Sequence, residues 1–343
     1  MMKRMLVYVA VALCLAFTAM PSTAQAGAEV QWKMQSFMPA ASNLHRYLQE
    51  FCDLVQKATG GRMKIMLFPA NALFPTLKVF QNVKAGVVQM AHTSAVFYQG
   101  EWPDGIVLTP PFGPINAMDF YAYWEYRGLK ELAAPFYDKN GLMTRGRIIG
   151  NAEPIWSRVP IRSIEDFKGK KIRMSGAPAK FFTEKLGASV IMLSPGDLFT
   201  ALNNGTIDAC EFSGGSVDYA LGLHKVTKYM IMPQYSGAGP TEFLINKKAY
   251  EALPKDIQLI FDLCCNWAEL QITQKIFRDD AEAVKKMIKE GDMEVIWLPD
   301  EDVAKIRKLA VDFWINDMGA VSPVTKKAMA IYTQMARERG IVK

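Results

Sequence analysis

Between residues 30 and 94 the pattern of apolar and polar positions changes period several times. Val30, Trp32 and Met34 alternate with Gln31, Lys33 and Gln35, which predicts a strand over 30–36. Leu44, Leu48, Phe51, Leu54 and Val55 then recur at helical spacing, and Thr59-Gly60-Gly61 stops that helix. A second strand is expected at 63–68, a helix over 77–85 ended by Gly86, and a third strand at 89–94. The same rhythm returns from about residue 147. A strand at 171–174 leads to a helix with Phe181, Phe182 and Leu186 on one face, closed by Gly187. A strand at 190–192, a helix at 197–202 and a strand at 207–212 complete the second run. Each βαβαβ run implies parallel strands with helices on the sheet faces. The doubling predicts an α/β protein of two similar lobes facing each other.

The remaining segments connect these runs. Residues 102–114 are rich in Pro and Gly and read as a loop. Residues 117–131 read as one helix, whose aromatic stripe (Phe120, Tyr121, Tyr123, Trp124, Tyr126) is assigned to packing. Residues 142–150 are the expected strand that crosses from the first lobe to the second. Ser213-Gly214-Gly215-Ser216 reads as a flexible turn before a short helix at 217–223, and strands follow at 229–233 and 242–246. Pro254 stands where a missing N–H costs nothing, at the start of a helix. From Ile257 to Lys289 no breaker interrupts the pattern, so one unusually long helix is expected. A last strand at 295–297 precedes terminal helices.

The N-terminus has a different character. Lys3-Arg4, an apolar run over 5–19 and Ala24-Gln25-Ala26 have the layout of a secretory signal peptide cleaved after Ala26. The run is shorter than the ~20 residues of a membrane span. Export to the periplasm is therefore expected. Net charge is +6, or +4 once Lys3 and Arg4 leave with the leader. No basic run with interleaved aromatics points to nucleic acid. Cys52, Cys210, Cys264 and Cys265 remain in the mature chain, without CxxC spacing, and three scattered histidines supply no zinc set. Cys52 and Cys264 lie in amphipathic helical patterns, where a buried free thiol is the commoner outcome.

Candidate chemistry is that of binding. No G-x-S-x-G, Walker A or strand-linked G-x-G-x-x-G motif is present. Arg173 stands where the strand at 171–174 ends, and open α/β sheets take ligands at the carboxyl ends of their strands. A guanidinium there holds a carboxylate or sulfonate through two parallel bonds. The alternative is a surface Arg in an ordinary ion pair. Gln35, Thr93 and Ser94 end other strands, and Glu211 and Phe212 end another. Tyr98 and Trp156 are candidate walls, and Tyr235 completes the set. Each has a structural alternative as a satisfied polar residue or a core aromatic.

The stretch Phe167-Lys168-Gly169-Lys170-Lys171-Ile172-Arg173, with Leu186-Gly187-Ala188, Asp197–Leu202, Gly205–Glu211 and Asn246–Pro254, resembles the solute-binding proteins of tripartite ATP-independent periplasmic (TRAP) transporters, the DctP family. The resemblance covers essentially the whole mature chain. It implies a two-lobed periplasmic binding protein fold, type II-like, with a long helix spanning both lobes. Lobe I would comprise 27–150 with 239–278, and lobe II 151–238 with 279–343. It also implies a small organic acid as ligand, a membrane permease as partner and no catalysis. Gln35, Thr93, Arg173 and Phe212 match ligand-contact positions of the family. In the branch that binds 2-oxo acids and lactate, a Glu followed by an aromatic helps hold a cation, sodium or calcium, that bridges to the acid. Glu211-Phe212 match that pair. A second Glu of that branch is Gly237 here, and its metal-binding Gln falls near Asn151, Ala152 or Glu153. Glu211 is thus either a metal ligand or an acceptor for a ligand hydroxyl or amine. A 2-oxo or hydroxy monocarboxylate is expected. A small sulfonate, a C4-dicarboxylate, a sensor partner of the same fold and a secreted metal-assisted enzyme are the alternatives. Oligomeric state is not readable.

Overall fold

The structure is a computed structural model that describes residues 29–113, 117–236, 239–338 and 340. The expected leader at 1–26 and Gly237 lie outside the described residues. The first run is β1 (Val30–Ser36), α1 (Asn43–Ala58), β2 (Met63–Phe68), α2 (Val79–Lys84) and β3 (Met90–Thr93). The Ser42 hydroxyl caps α1 by accepting the His45 N–H at 3.1 Å. The chain continues through α3 (Ala117–Tyr126), α4 (Leu129–Lys139) and β4 (Leu142–Ile149), and crosses to β5 (Glu153–Ser157). The second run is β6 (Lys171–Arg173), α5 (Gly176–Leu186), β7 (Ser189–Ile191), α6 (Leu198–Asn203), β8 (Ala209–Cys210), α7 (Gly215–Ala220) and β9 (Tyr229–Ser236). The chain then returns as β10 (Pro240–Asn246) and α8 (Lys247–Glu251). The 36-residue α9 (Lys255–Glu290), β11 (Glu294–Trp297), α10 (Asp300–Phe313) and α11 (Pro323–Glu338) finish it.

Two sheets result, one per run. The first has the order β2-β1-β3-β10-β4 and the second β11-β9-β5-β8-β6-β7. Within each run the strands are parallel, as expected for βαβ units. The segments that cross between sheets alter this picture. β10 runs antiparallel to β3 and β4, and β5 antiparallel to β8 and β9, so both sheets are mixed. The crossing strands come from the opposite side of the molecule and so enter each sheet with reversed direction.

Three sequence expectations change. The aromatic helix expected at 117–131 is two helices, because Gly128 sits at φ 93°, a left-handed conformation that favours Gly. The expected loop at 102–114 contains a 3-10 helix, Pro103–Leu108, opened by a proline. The expected turn at 213–216 is already helical from Gly215. Cys52, Cys210, Cys264 and Cys265 are all buried free thiols.

The long helix joins the two halves. α9 packs on α1 and β4 beside the first sheet and on α7 beside the second. Pro254 precedes its first turn in an extended conformation. The crossing segment is pinned to it twice. Ile149 N–H donates to Thr273 Oγ1 at 3.1 Å, and Asn151 Nδ2 donates to Asp280 Oδ2 at 2.9 Å. Asp280 also accepts the Ser216 N–H at 2.8 Å, so α7 hangs from the same carboxylate. α11 lies against the 3-10 helix at 103–108 and against α4, with Tyr332 and Tyr123 ring centres 5.5 Å apart.

Candidate functional site

Parallel strands of a βαβ unit all end on one side, and in both sheets that side faces the other sheet. A cavity of about 70 Å3 lies between them, space for roughly five water-sized groups. From the first sheet's side it is lined by Phe37, Met38, Ser94, Thr109, Ile148 and Thr241. From the second it is lined by Glu153, Arg173, Ser175, Pro178, Glu211 and Phe212, and Ile276 of α9 closes the back.

Arg173 ends β6 and is 1 % exposed. Its neighbour in the sheet is Cys210, and the ladder continues as Glu211 N–H donates to the Arg173 carbonyl at 3.0 Å. Arg173 and Glu211 therefore leave adjacent parallel strands side by side. Arg173 Nη1 donates to the Glu211 carbonyl at 2.5 Å and reaches Glu211 Oε2 at 3.3 Å, while Nε donates to Leu193 O at 3.3 Å. Among the described residues Nη2 donates no hydrogen bond. The guanidinium carbon lies 5.2 Å from the Phe212 ring centre. Nε and Nη1 are thus held by the protein, and Nη2 is the nitrogen left for a guest.

Glu153, the first residue of β5, brings a second carboxyl into the cavity. It is close enough to Glu211 to share a hydrogen bond with it. Burial and then the Glu211 charge push the Glu153 carboxyl well above the ordinary carboxylate range. The resemblance left its metal-binding Gln at 151, 152 or 153. Glu153 is the one of these three that lines the cavity. Asn151 is instead tied to Asp280. A third acid, Asp218, lies behind the wall with Oδ2 accepting the Trp156 Nε1–H at 2.7 Å, and burial raises it as well.

The remaining expected site residues divide in two. Ser94, Glu211 and Phe212 line the cavity with Arg173. Gln35, Thr93, Tyr98 and Trp156 do not stand among the lining residues. Gln35 holds the connection after β2: its amide donates to Phe74 O at 2.8 Å and accepts the Leu73 N–H at 2.7 Å. The Tyr98 hydroxyl is bonded to Glu242, which also pairs with Arg147 at 2.9 Å in a fully buried network. The Trp156 indole is committed to Asp218. Thr93 is buried, with no partner for its hydroxyl among the described residues. Tyr235 belongs to β9, and its side chain lies outside the described residues. Thr241 and Thr109 line the cavity without having been expected there. Their sequence signal is only that of small polar residues near a strand end or turn.

The donors present suit a hard cation. Two carboxyls stand together in a buried place, where one charge repels the other and a cation would relieve both. Among the described residues no third His, Cys, Asp or Glu joins them as a metal-holding group. The rest of a coordination shell would have to come from backbone carbonyls, water and the guest.

A two-lobed α/β protein with a buried guanidinium at the strand ends of its cleft is a small-solute receptor by architecture. The sequence model of bacterial extracellular solute-binding protein family 7 (DctP) matches residues 34–316, and the chain belongs to that family. A curated relative, a monocarboxylate 2-oxoacid-binding periplasmic protein of Nostoc sp., is 30% identical over 298 residues, covering 85% of this chain and 81% of its own. A TRAP transporter solute-binding protein of Bordetella bronchiseptica, solved as a dimer with calcium and picolinate at one site, superposes with a TM-score of 0.83 at 25% identity. That alignment covers 92% of this chain and 95% of the other. A periplasmic TRAP solute-binding protein of Colwellia psychrerythraea with bound calcium and pyruvate gives 0.81 at 26% identity, covering 91% and 95%.

Proposed function

We propose that this chain is exported to the periplasm, its leader cut after Ala26, and there captures a small 2-oxo or hydroxy monocarboxylate for a TRAP membrane permease. The observation that carries this reading is Arg173, buried between two lobes with Nη2 of its guanidinium uncommitted. A carboxylate placed there gains charge-assisted hydrogen bonds of about 1.5–3 kcal/mol each. The cavity is small, and Phe212 and Pro178 give it an apolar wall suited to a short carbon chain.

Glu211 and Glu153 set the condition for an anion to enter. Burial and the Glu211 charge oppose ionisation of Glu153, so the two acids do not both carry charge at low cost without a cation. A sodium or calcium ion held by Glu211 and Glu153 would supply the compensating charge and a further anchor for the acid and its 2-oxygen. The donor set supports that role, as do the calcium-bearing relatives. No residue of the cavity has the arrangement of a nucleophile and base, which supports binding without turnover.

Isothermal titration with pyruvate tests the reading, using protein stripped with a chelator and then reloaded with calcium or sodium. Saturable binding that needs the cation is the expected result, with pyruvate recovered unchanged. Absence of binding to any small carboxylate would sink the assignment. Binding that ignores the chelator would instead give Glu211 the role of acceptor for a ligand hydroxyl or amine.

A further inference from the structure

His92 does not stand among the residues that line the cavity, yet it touches much of what forms the first lobe's wall. It lies at the end of β3, fully buried. Its Nε2 is 2.9 Å from Thr241 Oγ1 and its Nδ1 3.1 Å from Ser36 Oγ. Thr241 Oγ1 is in turn 3.1 Å from the Ile148 carbonyl, and Ser36 Oγ is 3.0 Å from the Met38 nitrogen. Phe37 stacks on the imidazole, ring centres 5.1 Å apart and planes 19° apart, and its N–H donates to the His92 carbonyl at 3.1 Å. Phe37, Met38, Ile148 and Thr241 all line the cavity.

The protons in this chain have one consistent arrangement. The Ile148 carbonyl only accepts, so the Thr241 hydroxyl proton goes to it. Thr241 Oγ1 must then accept from His92, which places a proton on Nε2. Burial pushes the imidazole down to about 3, so the ring is neutral and carries one N–H. Nδ1 is then a bare acceptor, and the Ser36 hydroxyl donates to it. The free lone pair of Ser36 takes the Met38 N–H. A one-way relay results, from Met38 N–H through Ser36, His92 and Thr241 to Ile148 C=O. It ties the residues following β1 to the first residues of β10 and the last of β4. These three strands are not consecutive in the chain, and the relay links them on the side where the solute sits.

We propose that His92 is a positioning residue for solute capture: through this relay it fixes Thr241, Met38 and Phe37 at the cavity without touching the solute itself. The proposal rests on the reading of the cavity as the solute site. A neutral Nε2–H imidazole serves because it is the one side chain of this size that accepts on one side and donates on the other. Substitution by Phe keeps the stack and removes both bonds. Substitution by Gln keeps a donor near Nε2.

Calcium-loaded protein titrated with pyruvate gives the test, beside imidazole nitrogen chemical shifts of the solute-free protein. His92→Phe is expected to weaken pyruvate binding about tenfold, and His92→Gln to recover it to within about threefold of wild type. In a Thr241→Val background, His92→Phe is expected to cost clearly less than it does in wild type, because one of the two bonds it removes is already absent. A packing role would move the melting transition but would require neither the recovery by Gln nor the Nε2–H tautomer. The resonances are expected to show His92 as the Nε2–H tautomer, neutral from about pH 5 to 8. Wild-type affinity in His92→Phe, additive losses in the double variant, or an Nδ1–H or charged ring overturns the proposal. If wild-type protein itself ignores pyruvate, the 2-oxo acid reading fails separately, and the nitrogen resonances alone then decide for or against the relay.

Discussion

In the proposed site Arg173 would concentrate recognition in one planar group, and its geometry separates affinity from stability. The charge is needed to offset Glu211, with which it is buried. Breaking such a pair outright costs about 3–5 kcal/mol because one ion is left uncompensated. Lysine keeps the charge but has no second edge to offer. Arg173→Lys is therefore expected to weaken capture of a carboxylate by about tenfold to a hundredfold, seen by titration, while the melting midpoint moves only a few degrees. Arg173→Met is expected to lower both. The strand-end rule pointed to Arg173, Ser94, Glu211 and Phe212, and each stands at or just after the end of a strand and lines the cavity. Gln35, to which it also pointed, and Tyr98 and Trp156, expected as walls, do not line the cavity for a shared reason. Each has a buried partner distant in sequence, Phe74, Glu242 and Asp218 respectively, that claims its polar end. Glu153 was only one of three neighbouring candidates in the sequence, because its meaning depends on Glu211, 58 positions later and on a strand reached only by folding.

At the scale of elements, α9 is the part that both lobes share, and one of its acids reports on it. Burial pushes Glu269 up to about 7, partly offset by the Arg147 N–H that it accepts at 3.3 Å. The folded state therefore holds a proton that the unfolded chain releases near pH 4.5. The stability it contributes is complete below about pH 4.5 and is lost as pH rises toward 7, up to about 3 kcal/mol in all. Thermal melts of the solute-free protein are expected to fall by several degrees across that window, and Glu269→Gln is expected to flatten the decline. A decline unchanged by the substitution would assign it to other buried acids. The length of α9 was plain in the sequence, since nothing between Ile257 and Lys289 breaks a helix. The division of the aromatic helix was less plain. Gly128 was visible, but a lone Gly inside a helical pattern can be tolerated as well as end the helix. The two antiparallel insertions were unreadable for a different reason. Strand direction is set by where the chain arrives from, and local pattern carries no information about that.

At the scale of the whole molecule, capture requires the lobes to meet, and they do so at a glycine. Gly176 opens α5 at φ 65°, directly against the first lobe. A Cβ built there would lie 2.6 Å from Thr109 Oγ1 and 3.1 Å from a methyl of Val96. Ala177 N–H points to the same Thr109 hydroxyl at 3.5 Å. Gly176→Ala therefore introduces two separable effects. One is backbone strain of about 1 kcal/mol from a left-handed residue with a Cβ, present whether the lobes are open or closed. The other is a collision with Thr109 and Val96 of the first lobe, which parting of the lobes would relieve. Small-angle scattering is expected to show wild-type protein contracting when solute is added, and Gly176→Ala remaining extended at the same concentration. Thr109→Ala removes the nearer obstacle, so the double variant is expected to recover the contraction while keeping the lowered melting point. Recovery of neither would mean that strain alone disables the variant. A Gly176→Ala protein that contracts like wild type would mean that the lobes meet elsewhere.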